Sequence, residues 1–291
     1  MIECVPNFSE GRDAAKVKAI EEAIRSVPGV FVLRSERDPD HNRSVITFAG
    51  TPDAIGEAAL RGIGKAAELI DLTVHGGVHP RIGAADVVPF VPLDGASLED
   101  CVRIAHEVGE RVWRTLGVPV YFYEAAARDP RRAALEEVRR GGFENHTLAP
   151  DLGGPALHPT AGACVIGARK LLIAFNVNLD TSDVAIAQSI ARKIRASSGG
   201  LPFLKAIGVL LPSRNTAQVS MNLTDFEQTP LYEVFDAVLR EAQAHGVGIR
   251  GSEIVGLIPR KALEDAAAHY LRCQSFHGGL ILENAIKNCG R

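Results

Sequence analysis

The stretch VHGGVHPRIGAADVVPFVP at residues 74–92 places His75, His79, Arg81 and Asp86 in a segment punctuated by glycine and proline, between a helical pattern and an apolar strand pattern. Imidazole titrates near neutrality, so a loop histidine held beside a substrate can take a proton and return it. His79 is the acid–base candidate, Arg81 can fix a carboxylate, and Asp86 can orient a ring. The competing reading is that His75 and His79 cap the preceding helix or bond backbone. A metal reading is weaker. The spacing of the two histidines suits two ligands on a helix, but Gly76, Gly77 and Pro80 break a helix there, and no Glu follows His75 as in HExxH.

Polar groups also gather in VPNFSEGRD at 5–13, DPDHNRS at 38–44, GPALHPTAGA at 154–163 and at Arg169-Lys170, each placed at a strand end. Turn chemistry alone accounts for such clusters as readily as binding does. Glycines in the segment 153–162 can let backbone approach a flat ligand closely. No GxGxxG follows a strand and no GxxxxGK[ST] occurs, so dinucleotide and P-loop readings fail. Arg128, Arg131, Arg132, Arg139 and Arg140 read as a solvated helix face.

Composition bounds the rest. With 291 residues, 46% hydrophobic and 23% charged, the chain is long enough for one large domain or two small ones. The net charge of −3 without long runs of either sign lacks the footprint of a nucleic-acid binder. Five scattered cysteines, never spaced CxxC, suggest neither a disulfide framework nor a thiolate zinc site, which favours a reducing compartment. The N-terminal residues do not read as an export signal and no long apolar run occurs, so a cytoplasmic enzyme without membrane or nucleic-acid partners is expected.

The elements that must position these groups follow from periodicity. An apolar start at Ile2, Cys4 and Val5 precedes Val17, Ile20, Ile24 and Val27 at helical spacing, then the run 30–33 and the run 44–49. Thr51-Pro52 opens a second helix, with Thr as N-cap, and the apolar run 86–91 closes a βαββαβ unit. From Leu171 the order returns: a strand through Val177, a helix on Val184 to Ile194, strands at 207–211 and 219–223, a helix opened by Thr229-Pro230 and a strand at 249–255. Between the halves, Ser97 with Asp100 can cap a helix through Leu116; a strand at 118–123, a basic helix near 131–140 and a long irregular connection at 141–162 follow. The expected fold class is α/β (α+β), two ferredoxin-like βαββαβ subdomains with mixed or antiparallel sheets. Residues 1–168 and 169–272 are the two subdomains, and 273–291 forms a tail that is either a docking helix or frayed.

Seven segments in one order, ECVPNFSEG at 3–11, HNRSVITF at 41–48, HPRIGAADVVPFVP at 79–92, HPTAGA at 158–163, GARKLLIAFNVNLDT at 167–181, QVSMNL at 218–223 and GSEIVGLIP at 251–259, resemble the glutamate formimidoyltransferase (formiminotransferase) family. The resemblance spans about residues 2–272. It implies two ferredoxin-like subdomains in a homodimer, tetrahydrofolate as co-substrate and no metal. By resemblance, the family's catalytic histidine, in its HPR motif, falls on His79. Its folate-binding loop falls on Gly154, Pro155, Ala156, Leu157, His158, Pro159, Thr160, Ala161, Gly162 and Ala163. Arg43, Arg81 and Arg169 are candidates for carboxylates of glutamate or the folate tail, argued from charge and loop position; Asn7 and Asn178 are candidates for the pterin or the amidine. The implied reaction moves the formimino group of N-formimino-L-glutamate to N5 of tetrahydrofolate in histidine degradation, and a separate cyclodeaminase is a candidate partner. Two other readings keep the folate: formyl transfer from N-formylglutamate or cyclisation of 5-formyltetrahydrofolate on the same pocket, and a folate-binding protein without turnover.

Overall fold

A computed structural model describes residues 1–39, 41–77, 80–93 and 95–289. His79 lies outside the described residues. The chain divides into two compact units, Met1–Leu171 and Leu172–Arg291.

The first unit runs β1 (Ile2–Cys4), β2 (Asn7–Phe8), α1 (Ala14–Arg25), β3 (Val30–Asp38), β4 (Arg43–Gly50), α2 (Pro52–Leu69), β5 (Ala85–Pro92), α3 (Leu98–Leu116), β6 (Val120–Glu124), α4 (Leu135–Val138) and β7 (Cys164–Ala168). β1 and β2 both pair with β4 and β5, so they are two pieces of one strand, parted where Pro6 has no N–H to give. Counting that pair as one strand, the order β5, β1/β2, β4, β3 is the antiparallel ferredoxin-like arrangement. β7 and β6 extend it beyond β5 in parallel.

One face of this sheet packs on α1, α2 and α3 through Phe8, Phe48, Phe90, Ile20, Ile63, Ile104 and Val108, all buried. The opposite face carries Val87, Tyr121, Tyr123 and Val165, covered by Leu135 and Val138 of α4 and by Leu148 and Leu157 of the long connection. α3 starts as its sequence requires: Ser97 and Asp100 form the reciprocal capping box, and Gly117 ends the helix at φ 65°.

The second unit holds β8 (Ile173–Leu179), α5 (Val184–Ile194), β9 (Leu204–Leu211), β10 (Thr216–Leu223), α6 (Leu231–Ala244), β11 (Ile249–Val255), α7 (Arg260–Tyr270) and α8 (Leu282–Cys289). Its sheet order, β11-β8-β10-β9, is antiparallel throughout and ferredoxin-like. α5 and α6 cover one face, burying Ile190, Ile194, Val234 and Val238.

Residues 164–168, past the expected connection and given no element in the sequence reading, form β7, all buried in the parallel part of the sheet. Two local expectations are revised. The basic helix breaks into a 3₁₀ turn at Pro130–Arg132 and the four-residue α4, which Gly141 and Gly142, both at positive φ, follow closely. Thr51 occupies the N-cap of α2 but its side chain makes no capping hydrogen bond. The Thr229-Pro230 entry puts Pro230 at the N-cap position of α6 with no side-chain cap, and the Thr229 hydroxyl donates to the Pro202 carbonyl at 2.5 Å. No helix among the described residues is long and apolar enough to cross a membrane.

Candidate functional site

In the first unit, the segment after β2, the β3–β4 turn, the loop after α2 and the start of β5 meet around a small open cleft lined by Ser9, His41, Asn42, Arg43, His75, Pro80, Arg81 and Asp86. Asn42 organises it. Held at φ 49°, in the left-handed region that Asn tolerates, it is buried, and its Oδ1 accepts from Gly11 N at 3.0 Å. Its Nδ2 donates to Gly76 O at 3.1 Å and its carbonyl accepts from His75 Nε2 at 3.0 Å. One side chain thus ties the N-terminal loop, the β3–β4 turn and the loop that continues to His79.

The bond to the Asn42 carbonyl places the His75 proton on Nε2 and leaves Nδ1 as the buried, unpartnered acceptor. Burial holds the His75 ring below the ordinary histidine range, the Asn42 carbonyl opposing. His146, edge-on to Tyr121 at 5.1 Å between ring centroids, is depressed by burial as well. Each ring has a folded pKa below its unfolded 6.5, so the unfolded chain binds protons more readily. Their contribution is therefore fully present above 6.5 and is lost as the pH falls below that value and through each ring's lower folded pKa. Denaturant midpoints should drop between about pH 7.5 and about pH 5.5, and His146→Phe should flatten that slope; an unchanged slope in the variant contradicts the assignment.

Arg43 is bonded to Asn7 Oδ1, and Asn7 Nδ2 reaches Val5 O at 3.2 Å. Burial first, then the neighbouring Arg139, depress the Arg43 guanidinium, while Asp86 and Asp38 oppose this. Arg81 is held by its own surroundings: it donates to Leu72 O at 3.2 Å and His75 O at 2.8 Å and pairs with Glu144 at 2.8 Å. That pairing holds the Glu144 carboxyl below its usual range.

Asp86 stands at a β-bulge. Phe8 pairs with Ala85 and Asn7 with Val87, so β5 carries one residue more than its partner there. Bulges re-aim side chains, and Asp86, 3% exposed, is turned so that Oδ1 accepts from Ile82 N at 2.9 Å while Oδ2 takes the Arg139 guanidinium. Arg139 was read as part of a solvated face; its side chain is 12% exposed and committed to this pair. Arg132 is likewise tied inward, to Asp151 at 3.1 Å, whereas Arg131 and Arg140 lie on the surface.

The segment 154–163 is laced to the same loop. His158 and Gly162 exchange backbone bonds at 2.8 and 3.0 Å, and His158 Nδ1 accepts from Ala161 N at 3.0 Å. Thr160 O accepts from Leu72 N at 2.8 Å, Ala161 O from Ala84 N at 2.9 Å, and Ala163 N donates to Ile82 O at 3.0 Å. Gly154, Pro155, Ala156 and Pro159 are exposed, Leu157 packs against the tyrosine-bearing face, and Ala161 to Ala163 are buried.

Asn7, Arg43 and Arg81 therefore come together, with the 154–163 segment bonded behind them. Arg169 does not join them. Its backbone N bonds Phe90 O near the far end of β5, about 13 Å along the strand from Asp86 at roughly 3.3 Å per residue. There it faces Glu3, whose carboxyl is raised by burial and lowered again by the arginine. Asn178 belongs to the second unit, where its Nδ2 donates to Glu253 at 3.1 Å, its Oδ1 accepts from Gln218 at 2.8 Å, and Arg214 pairs with the same Glu253. Among the described residues no group of three or more His, Cys, Asp or Glu could hold a metal ion.

Comparison with known proteins places this architecture. The profile of the formiminotransferase domain's N-terminal subdomain matches residues 1–169, and that of the formiminotransferase domain matches residues 174–287. A Streptococcus pyogenes serotype M1 protein named glutamate formimidoyltransferase is 46% identical over 98% of this chain and 98% of its own length. A Thermoplasma acidophilum protein of the same name is 48% identical over 99% of this chain and 97% of its own. The formimidoyltransferase-cyclodeaminase of Sus scrofa is 44% identical over 93% of this chain, which corresponds to 52% of that longer protein. With both subdomain profiles matched and these identities spanning nearly its whole length, the chain belongs to the formiminotransferase family.

Proposed function

We propose that this chain transfers the formimino group of N-formimino-L-glutamate to N5 of tetrahydrofolate, releasing L-glutamate, as a step of histidine degradation and one-carbon metabolism. The observation that carries the reading is the end-to-end correspondence with two glutamate formimidoyltransferases, set on a cleft of suitable chemistry. The cleft offers a guanidinium at Arg43 for a carboxylate and a neutral imidazole at His75, and its wall includes Pro80, the residue next to His79.

The chemistry asks little beyond proton transfer and alignment. N5 attacks the amidine carbon, the tetrahedral intermediate collapses, and the C–N bond to glutamate breaks. One proton must leave N5 and one must reach the departing nitrogen. His79 acts as base for the first and acid for the second, a role worth about a hundred- to ten-thousand-fold. Holding the two substrates together supplies much of the remaining acceleration. Segment 154–163 is the folate loop, and Arg43 takes a glutamate carboxylate. Arg81 does its part by fixing the loop, since its guanidinium is occupied by Leu72, His75 and Glu144. The enzyme works in the cytoplasm as a homodimer without a metal, and a separate cyclodeaminase is a candidate partner.

Purified protein should form product from tetrahydrofolate with N-formiminoglutamate and not with N-formylglutamate. Turnover with the formyl donor alone would replace the reading by formyl transfer.

A further inference from the structure

Arg139 is not among the residues that line the cleft, yet it is bound to one that does. Its partner Asp86 uses Oδ2 for that guanidinium and Oδ1 for the Ile82 amide, so both oxygens are committed and the carboxylate cannot turn without releasing one of them. Ile82 ends the short segment Pro80–Ile82, which follows His79 directly in the chain. The pair therefore connects three pieces: the segment after α4, the β5 bulge and that short segment.

A buried ion pair is a weak source of net stability, since the desolvation of its charges offsets most of the attraction. Its consequence here is geometric. Without Arg139 the carboxylate is free to swing toward Arg43, which already senses it electrostatically, and the Ile82 amide loses its acceptor. We propose that Arg139 is a positioning residue for the transfer reaction: through Asp86 it fixes the segment Pro80–Ile82 and, with it, the chain that carries His79. The proposal rests on the function proposed above.

A double-mutant cycle on the full-length protein tests it. Arg139→Gln and Arg139→Lys are measured alone and combined with His79→Ala, with kcat, the KM for each substrate and thermal unfolding read for every variant. Arg139→Gln should lower kcat about tenfold with the KM for tetrahydrofolate held within about twofold, and should have little further effect once His79 is alanine. If the two losses multiply, or if Arg139→Gln lowers Tm while kcat stays that of the wild type, the positioning role is overturned. Should Arg139→Gln fail to fold, Arg139→Lys decides. It keeps the charge but not the two-pronged guanidinium, so kcat should fall about threefold, and that loss should vanish beside His79→Ala. An unchanged kcat in Arg139→Lys would then overturn the proposal. A wild type that transfers nothing removes the proposed function itself and this role with it, a result distinct from a working wild type with additive variants.

Discussion

His79→Ala is expected to lower kcat for formimino transfer by at least about a hundredfold while leaving both KM values within a few fold. The size follows from the chemistry: one group must remove a proton from N5 and deliver one to the departing glutamate nitrogen. His75, four residues earlier, is engaged through Nε2 with the Asn42 carbonyl, and burial disfavours its charged form. It can accept a hydrogen bond but is a poor carrier of the second proton. Steady-state kinetics over a pH series check this. A variant with full activity would strip His79 of its role while leaving the fold and family untouched.

Gly162→Ala is expected to be the most damaging small substitution in the 154–163 segment. Gly162 sits at φ +69°, and a Cβ there would lie 2.0 Å from the Ile82 carbonyl oxygen and 2.8 Å from Leu72 Cδ1. The backbone conformation alone costs a non-glycine residue about 1–3 kcal/mol. The overlap with a backbone oxygen cannot be relieved by a rotamer change, so the strands of contact between Ile82–Ala84 and Ala161–Ala163 must part. A loss of about 3 kcal/mol corresponds to a Tm lowered by roughly 6–12 °C, with transfer activity falling further because the loop that follows His79 is displaced. Scanning calorimetry of the variant beside Gly76→Ala, where an added Cβ meets nothing within 4 Å, separates this effect from the general one of replacing glycine. Equal Tm values for the two variants would contradict it.

Much of the architecture is legible in the sequence because each signal has a local physical cause. The 3.6-residue spacing of Val17, Ile20 and Ile24 is the buried stripe of α1, and Ser97 with Asp100 forms the capping box their spacing requires. The βαββαβ order appears twice, as the alternation of periods predicts. β7 is hidden for an equally physical reason. Its five residues, CVIGA, lie in parallel between β5 and β6 and are buried on both faces, so they show no alternation, and they follow a Gly- and Pro-rich stretch that reads as loop.

At the cleft, the residue types with obvious chemistry are legible and the residues that aim them are not. Asn42 and Asp86 act through a left-handed turn and a bulge, and neither feature has a periodic signature. Arg139 reads as surface because its neighbours Arg131 and Arg140 are surface. Only the break of the helix after Val138 turns it inward to Asp86. The segment 154–163 looks like turn chemistry in isolation; its bonds to Leu72, Ile82 and Ala84, about eighty residues earlier, tie it to the His79 loop.

The most direct measurement is a single turnover of the wild-type protein with tetrahydrofolate and N-formiminoglutamate carrying ¹³C at the formimino carbon and ¹⁵N at its terminal nitrogen, followed by NMR. The account predicts that both labels arrive together on N5 of the folate, still bonded to each other, as unlabelled glutamate is released. Carbon arriving without its nitrogen, or both labels remaining on glutamate while folate is bound, would contradict it.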